Sequence, residues 1–440
     1  MGIDPRNITI AAVHAHQALD SRGNPTVEAT VELSNGIRAY SLVPSGASTG
    51  SYEALELRDG DNSRFGAKGV LKAAGNVNDV ISPHLIGMSP LDQSTIDQTM
   101  IDLDGTPDKS NLGANGILAV SMAIARAASL AINPLEGELW SYLSNGNDVS
   151  LPVPMFNILN GGRHASNSAD IQEFMVMPVG VDTFSQSLRA GAEIYQALRS
   201  ILEADGHGLN VGDEGGFAPT LASNRDAIEI VLKAINKAGY SAGEDVFLAL
   251  DVAASELFSS DTNQYDLARE GRSLSAGELI DLYDSWSKEY PIISIEDGLD
   301  EDDWSGWTLL RQRLGGRVQL VGDDLLVTNI NRIKKGIGLG SATSVLLKPN
   351  QIGTLTETFN ALTMAREAGW GAVMSHRSGE TEDTTIADLS VAWDIGQIKT
   401  GAPARSERVA KYNRLLRIEA SLAENATYSG SKAFDYLSNF

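Results

Sequence analysis

Short apolar runs that each end on a charged residue recur along the second half of the chain. The residues at these ends are, in chain order, Asp251, Glu296, Asp323, Lys348, His376 and Lys399. Successive ends are separated by about the length of a strand plus a helical return. Parallel strands that each deliver a charge at the carboxyl end are typical of a (β/α) barrel with its active site on that rim. The pattern therefore predicts such a barrel and places these side chains on its rim.

Helical periodicity fills the intervals between the predicted strands. The segments with apolar residues at helical spacing are 184–202, 227–238, 277–286, 329–337 and 354–368. One further rim position is indicated in the segment LNVGDEGGFAP, where we expect a short apolar strand to end on Asp213 and Glu214.

The beginning of the chain follows a different pattern. Residues 13–43 alternate apolar and polar positions and are interrupted by SRGNP and by an Asn-Gly pair, which predicts a meander of antiparallel strands. The following loop contains the segment PSGASTG, which has small residues between glycines. Residues 44–52 can therefore serve as a mobile lid. An ordinary turn is the alternative for this loop.

Helical patterns follow that loop over 68–85, 89–100 and 113–131. We therefore expect a small α+β domain over residues 1–145, ahead of an α/β barrel domain over residues 146–440. Asn-Gly-Asn and two nearby prolines mark the predicted boundary.

Composition narrows the class of protein. The 440 residues are 42% hydrophobic and 21% charged, which is typical of a globular rather than a disordered chain. A formal net charge of −23 disfavours nucleic acid and anionic membranes as partners. The chain has no cysteine, which excludes disulfides and zinc–thiolate sites and fits a cytoplasmic location. The apolar tract at 116–135 carries Arg126 and small residues, so we expect a core helix and no membrane span.

The rim residues suggest a metal-assisted reaction. Asp251, Glu296 and Asp323 offer three carboxylates, a hard oxygen set suited to Mg²⁺. The alternative for each acid is a helix cap or a lysine partner. If the acids have lysine partners, Lys348 and Lys399 are those partners. If the acids bind metal, one of the two lysines can remove a proton from a carbon next to a carboxylate. Metal ions would stabilise the enolate that such a step creates.

Long motifs in a fixed order carry a family resemblance over nearly the whole chain. They are DSRGNPTVE, PSGASTG, IDLDGT, ILNGGRHA, DIQEFM, VGDEGGFAP, ALDVAASE, SIEDGLDEDDW, VGDDLLVTN, LLKPNQIGTLTET, SHRSGETEDTTIADL and GQIKTGAP. On these motifs the chain resembles the enolase family. The resemblance implies a hydro-lyase of glycolysis and gluconeogenesis that reversibly dehydrates 2-phosphoglycerate to phosphoenolpyruvate with two magnesium ions per active site. It also implies a homodimer or higher homo-oligomer.

The resemblance further implies roles for the matched residues. Lys348 matches the base that removes the C2 proton, and Glu214 the acid that assists loss of the C3 hydroxide. The matched ligands of the tighter magnesium are Asp251, Glu296 and Asp323, and Ser48 matches the lid serine that helps hold the second, substrate-linked magnesium. The matched substrate-binding residues are the phosphate binders Arg377 and Ser378, together with His164, Gln172, Glu173, His376 and Lys399.

Two departures from the family pattern lie near the matched motifs. Arg163 replaces an acidic or small residue beside His164, and Trp393 replaces a smaller residue before GQIKTG. Two alternatives to the family's activity stay open. One is a related acid-sugar dehydratase, against which the lid and phosphate motifs argue. The other is a noncatalytic or surface-binding role with a secondary cell-surface location, which does not require the matched residues to be retained.

Overall fold

The computed structural model describes residues 5–46, 50–133, 137–165 and 168–438. Its N-terminal part begins with an antiparallel sheet of three strands, β1 (Ile10–Leu19), β2 (Pro25–Leu33) and β3 (Arg38–Leu42). Asp20 closes the β1–β2 turn by accepting hydrogen bonds from the backbone N–H groups of Arg22 and Asn24, each at 2.9 Å. Alternate residues along most of β2 are buried, so the predicted meander is confirmed.

Five α-helices complete this part of the chain among the residues that the structure describes. They are α1 (Leu71–Asn76), α2 (Ser82–Leu85), α3 (Gln93–Asp104), α4 (Ala114–Ile132) and α5 (Leu139–Ser144). A π-helical stretch at Val77–Ile81 joins α1 to α2, so the single helix expected over 68–85 is divided.

Helix α4 is long and apolar enough to cross a membrane by length and composition alone. However, 83% of its 18-residue window is buried inside the protein. The helix packs across β2 and β3, and the Ser41 hydroxyl donates a hydrogen bond to the Ala119 carbonyl at 2.7 Å. It is therefore a core helix, as the sequence predicted.

The rest of the chain supplies the strands of a closed barrel. Its strands are β4 (Val153–Asn160), β5 (Glu173–Met177), β6 (Phe247–Asp251), β10 (Ile292–Glu296), β11 (Gln319–Gly322), β12 (Ser344–Leu347), β13 (Gly371–Ser375) and β14 (Gln397–Lys399), closed by pairing of β14 with β4. The predicted series β6 and β10 to β14 is parallel. Strand β5, however, is antiparallel to both β4 and β6. A separate small sheet comprises β7 (Phe258–Ser259), β8 (Gln264–Leu267) and β9 (Arg272–Leu274).

Helices lie between and after the barrel strands. They are α6 (Phe184–Ala204), α7 (Asn224–Lys237), α8 (Ala276–Glu289), α9 (Trp304–Leu314), α10 (Ile330–Leu339), α11 (Pro349–Ile352), α12 (Leu355–Glu367), α13 (Thr385–Ala392) and α14 (Ser406–Leu422). Each helix predicted from periodicity in this part is present to within three residues. Ser275 and Glu278 form a reciprocal capping box at the start of α8, which fixes where that helix begins.

The prediction of a short strand before Glu214 is wrong. Residues 209–219 form an irregular loop whose bridges from Leu159 and Val211 to Phe217 are isolated. A Cβ on Gly216 would lie 3.0 Å from the Asn157 carbonyl oxygen, so the loop backbone lies close against β4. The glycines thus bring Glu214 to the rim by close backbone approach rather than by strand pairing.

Polar contacts hold the N-terminal part against the barrel. The Arg126 guanidinium lies 2.9 Å from an Asp383 carboxylate oxygen. Asp97 accepts hydrogen bonds from the backbone and hydroxyl of Thr356, at 3.0 and 2.6 Å, in the first turn of α12. Because α12 begins shortly after β12 ends, the second contact places the N-terminal part beside the rim. The domain boundary at residue 145 stays a prediction.

Candidate active site

A cleft lies at the carboxyl-terminal rim of the barrel, where the sequence predicted it. Its lining includes Gln172, Glu173, Glu214, Asp251, Asp297, Asp323, Asp324, Lys348, His376, Arg377, Ser378 and Lys399. Glu296 contacts this set through Lys399. Each residue of the predicted strand series stands at or just after the carboxyl end of its strand. The antiparallel strand β5 presents Glu173 at the same rim because that residue begins the strand.

Lys399 extends from β14 into a group of buried carboxylates. Its Nζ lies 2.8 Å from Asp251 Oδ2, 2.9 Å from Glu296 Oε1 and 3.3 Å from Glu173 Oε2. Burial raises the pKa of Glu296 well above its usual range, and the Asp251 charge adds to the effect. Burial by itself lowers the pKa of Lys399, but the carboxylates, Asp251 first, outweigh it and raise that pKa. The ammonium form of Lys399 is therefore the stable one here.

Lys348 forms a second lysine–carboxylate pair. Its Nζ donates to Asp323 Oδ2, and Gln351 donates to the other oxygen of that carboxylate at 2.8 Å. Burial alone would raise the pKa of Asp323, but the Lys348 ammonium outweighs it and lowers that pKa. Burial alone would lower the pKa of Lys348, and Asp323 reverses this effect. The acids predicted to share one ion thus each contact a lysine, which is the alternative that the sequence left open.

A compact acidic cluster lies beside Lys348. Asp297, Asp323 and Asp324 have carboxylate oxygens within 4.8 Å of one another, so they could hold a metal ion. The two oxygens of Asp297 accept the backbone N–H groups of Asp323 and Asp324, at 2.9 and 2.8 Å. Burial, together with the neighbouring Asp323, raises the pKa of Asp324 to about 8. Sequence reasoning gave no role to Asp297 or Asp324, although the doublets Glu-Asp and Asp-Asp at two strand ends signalled extra charge there.

Glu214 faces the same cleft from the loop after α6. Its Oε2 accepts a hydrogen bond from Asn157 Nδ2 at 3.0 Å and lies 3.5 Å from His376 Nε2. The Ala402 N–H donates to the Glu214 carbonyl at 2.9 Å, which holds the loop backbone near β14. Burial lowers the pKa of His376 to about 4, against the opposing charge of Glu214. The ring is therefore neutral near pH 7.

Arg377 is buried and bound by a residue from the N-terminal part. Its guanidinium donates to both carboxylate oxygens of Glu53, at 2.9 and 3.1 Å, and to Asn350 Oδ1 at 3.1 Å. Planar bidentate pairing of this kind is also how arginine binds phosphate. Ser378, the other predicted phosphate binder, lines the cleft next to Arg377. Sequence pattern does not indicate the contact between Arg377 and Glu53, because the two residues are far apart along the chain.

The predicted lid loop is described only at its two ends. Residues 47–49, and Ser48 with them, lie outside the described residues. Ser45 and Gly379 exchange backbone hydrogen bonds of 2.7 and 2.9 Å. Beyond the gap, the Ser51 hydroxyl donates to Glu301 Oε1 at 2.6 Å. Both ends of the loop are thus fixed beside the rim, and the movement of the loop stays a prediction.

Two predicted substrate-binding residues precede β5. Gln172 lines the cleft, and its backbone N–H donates to the Asp251 carbonyl at 3.1 Å. The backbone of His164 lies in a short 3₁₀ turn, and its side chain is outside what the structure describes.

Arg163, which departs from the family pattern, is exposed and pairs with the cleft residue Glu256 at 2.7 Å. Trp393 packs against Phe359, with ring centroids 5.2 Å apart.

Two family models match the chain along most of its length. The model described as "Enolase, N-terminal domain" matches residues 10–143. The model described as "Enolase, C-terminal TIM barrel domain" matches residues 148–437. The chain belongs to the enolase family.

Membership in the enolase family agrees with the architecture. A closed eight-stranded barrel with a smaller α+β part ahead of it is the fold that the rim pattern and the resemblance predicted. The chain is accordingly a lyase-type enzyme of the enolase superfamily that acts on a small molecule.

Proposed function

We propose that the protein catalyses the magnesium-dependent, reversible dehydration of 2-phosphoglycerate to phosphoenolpyruvate. The observation that carries the proposal is the joint presence of Lys348, Glu214 and Arg377 around one buried cleft. The reaction needs a base for the C2 proton, an acid for the departing hydroxide and a cation for the phosphate. These side chains supply one of each.

Lys348 is the proposed base. A lysine accepts a proton only when its ammonium form is not strongly favoured, and here Asp323 favours that form. Lys348 can therefore act as a base only when another cation neutralises the charge of Asp323. Asp323 is one of the three carboxylates assigned to the tighter magnesium ion, so metal binding and activation of Lys348 are linked in this proposal.

Glu214 is the proposed acid. Asn157 and His376 both face its Oε2, at 3.0 and 3.5 Å, so the carboxyl group is held in one orientation toward the cleft. A protonated Glu214 can donate to the leaving hydroxyl, and the return reaction uses the carboxylate as a base.

The charge balance of the cleft favours a metal-dependent reaction. In the described part of its lining, seven acidic side chains face three cationic side chains, Lys348, Arg377 and Lys399. A substrate with a phosphate and a carboxylate adds further negative charge, so additional cations are required. The donors are all oxygens at the rim, which fits magnesium. Asp251, Glu296 and Asp323 would hold the first ion and Ser48 would help hold the second. Bound magnesium would stabilise the charge that develops on the substrate carboxylate.

The remaining substrate contacts come from the rim residues next to these groups. Arg377 would bind the phosphate through its planar fork, together with Ser378, and Lys399 would contact the substrate. Gln172, Glu173, His164 and His376 complete the polar wall. We extend the proposal to a cytoplasmic, glycolytic homo-oligomer that requires no nucleic acid.

The proposal is tested by incubating the protein with 2-phosphoglycerate and magnesium and following the ultraviolet absorbance of phosphoenolpyruvate. We expect product that depends on magnesium and disappears with chelator. A folded protein that gives no product at saturating magnesium contradicts the proposal. Turnover of an unphosphorylated sugar acid in its place identifies a related acid-sugar dehydratase, and no turnover of either supports a noncatalytic role.

A further inference from the structure

Arg408 is a fully buried cation on α14 that contacts the rim from behind the cleft. Its Nη2 donates to the backbone carbonyls of Asp213 and Ser378, at 3.1 and 2.6 Å. Its Nη1 donates to the Arg377 carbonyl and lies 2.7 Å from Nδ1 of His376. One guanidinium therefore joins the loop that carries Glu214 to the segment that carries His376 and the predicted phosphate binders.

The contact with His376 fixes where the imidazole carries its proton. An arginine side chain has donors and no acceptor, so Nδ1 of His376 must accept through its lone pair. The proton of the neutral ring then lies on Nε2. Nε2 faces Glu214 Oε2 across 3.5 Å, which is longer than an ordinary hydrogen bond. The ring thus points an N–H group at the cleft and at the carboxyl group of Glu214.

The chain makes room for this contact at Gly401. A Cβ at that position would lie 2.9 Å from Cδ of Arg408, and the backbone φ of +85° is one that favours glycine. The Gly401 carbonyl accepts a hydrogen bond from Tyr412, one turn beyond Arg408 on the same helix, at 2.6 Å. The aliphatic part of Arg408 therefore passes through a space that a larger residue would fill.

We propose that Arg408 is a positioning residue that holds His376 in its Nε2–H tautomer, so that His376 donates toward Glu214 and the departing hydroxyl group. The kinetic part of this inference rests on the proposed function. The tautomer itself does not, because it follows from the contact between Arg408 and Nδ1. Without Arg408 the neutral ring can place its proton on either nitrogen, and an unprotonated Nε2 would face the carboxylate lone pairs of Glu214.

Lys411 provides a matched control on the same helix. It is also fully buried, and its Nζ donates to Glu380 at 2.6 Å and to the Glu407 carbonyl at 2.7 Å. Loss of this cation costs stability in the way that loss of Arg408 does. The Lys411 contacts do not include the imidazole of His376, so its substitution separates a general loss of packing from a change of tautomer.

The first test is nitrogen-15 NMR of the full-length protein near pH 7. The chain has six histidines, so the His376 signals are assigned by their absence in His376→Gln. We expect the Nε2–H tautomer in the wild type, in Lys411→Gln and in the conservative variant Arg408→Lys, whose ammonium can still donate. Arg408→Met should give a mixture of tautomers. An Nδ1–H tautomer in the wild type overturns the proposal even if every Arg408 variant fails to fold.

The second test compares kinetics with 2-phosphoglycerate. Arg408→Met should lower kcat on the order of 100-fold and change KM by a much smaller factor, because orientation of a proton-transfer group is lost while the side chains of Arg377 and Ser378 that would bind the phosphate are kept. Arg408→Lys should recover much of that loss, and Lys411→Gln should stay near the wild type per folded molecule. Equal losses of kcat in Arg408→Met and Lys411→Gln would show that Arg408 has only a structural role, and they overturn the proposal. Absence of turnover in the wild type refutes the proposed function instead and leaves the tautomer measurement decisive.

Discussion

Acid should destabilise the protein through His376 by an amount that follows from its burial. The residue is 2% exposed, and burial lowers its pKa from 6.5 to about 4. In the unfolded chain the imidazole takes up a proton near its ordinary pKa, whereas in the folded protein it stays neutral. His376 therefore contributes stability above pH 6.5, and that contribution is lost as the pH falls toward 4.

The size of this effect is set by the difference between the two pKa values. A difference of about 2.5 at about 1.4 kcal/mol per pKa unit gives ~3 kcal/mol, most of which is lost by pH 4.5. Substitution of His376 by glutamine removes the titrating group but keeps a polar side chain. Between pH 7 and pH 4.5, the free energy of unfolding of His376→Gln should therefore fall by ~2.5 kcal/mol less than that of the wild type.

Urea unfolding, followed by the fluorescence of the six tryptophans, measures this difference at both pH values. His14→Gln is the control, because it makes the same substitution at an exposed position on β1. If the wild type and His376→Gln lose the same free energy of unfolding on acidification, then the ring is not held neutral by burial and the reasoning is refuted.

Two further predictions concern the charged groups of the rim. Lys399→Met should lower the free energy of unfolding by about 3–5 kcal/mol in metal-free buffer, since Asp251 and Glu296 lose their buried cation. Magnesium should restore part of this loss, and a melting temperature equal to that of the wild type without metal would show that the pair is not needed. Asp297→Asn should weaken magnesium binding measured by titration calorimetry and cost about 1–3 kcal/mol of stability, because an amide cannot accept from both backbone N–H groups of the Asp323–Asp324 turn. Unchanged affinity and stability in this variant would contradict the role given to the acidic cluster.

The sequence predicted the barrel because strand ends and helical returns are local patterns. The positions of Asp251, Glu296, Lys348 and Lys399 follow directly, since the last residue of a parallel barrel strand must lie on the rim. Glu214 reached the same rim by another route, because its loop is held by glycine contacts against β4. Periodicity does not report contacts of that kind.

The pairing of side chains across the rim could not be predicted in the same way. Lys399 meets Asp251 and Glu296 because the folded barrel brings β14 opposite β6 and β10, and strand spacing does not say how far each side chain reaches. Arg408 lies 32 residues beyond His376, on a helix whose approach to the rim depends on space at Gly401. Such contacts depend on tertiary packing, so sequence pattern alone could not have found them.

The division of roles between Lys348 and Glu214 is tested most directly by exchange of the C2 hydrogen of 2-phosphoglycerate with deuterium from solvent. Proton NMR follows the exchange in the presence of magnesium, beside a parallel assay for phosphoenolpyruvate. We expect exchange in the wild type, no exchange in Lys348→Ala, and measurable exchange without product in Glu214→Gln. Exchange that persists in Lys348→Ala, or that is lost equally in both folded variants, would contradict Lys348 as the base and Glu214 as the acid.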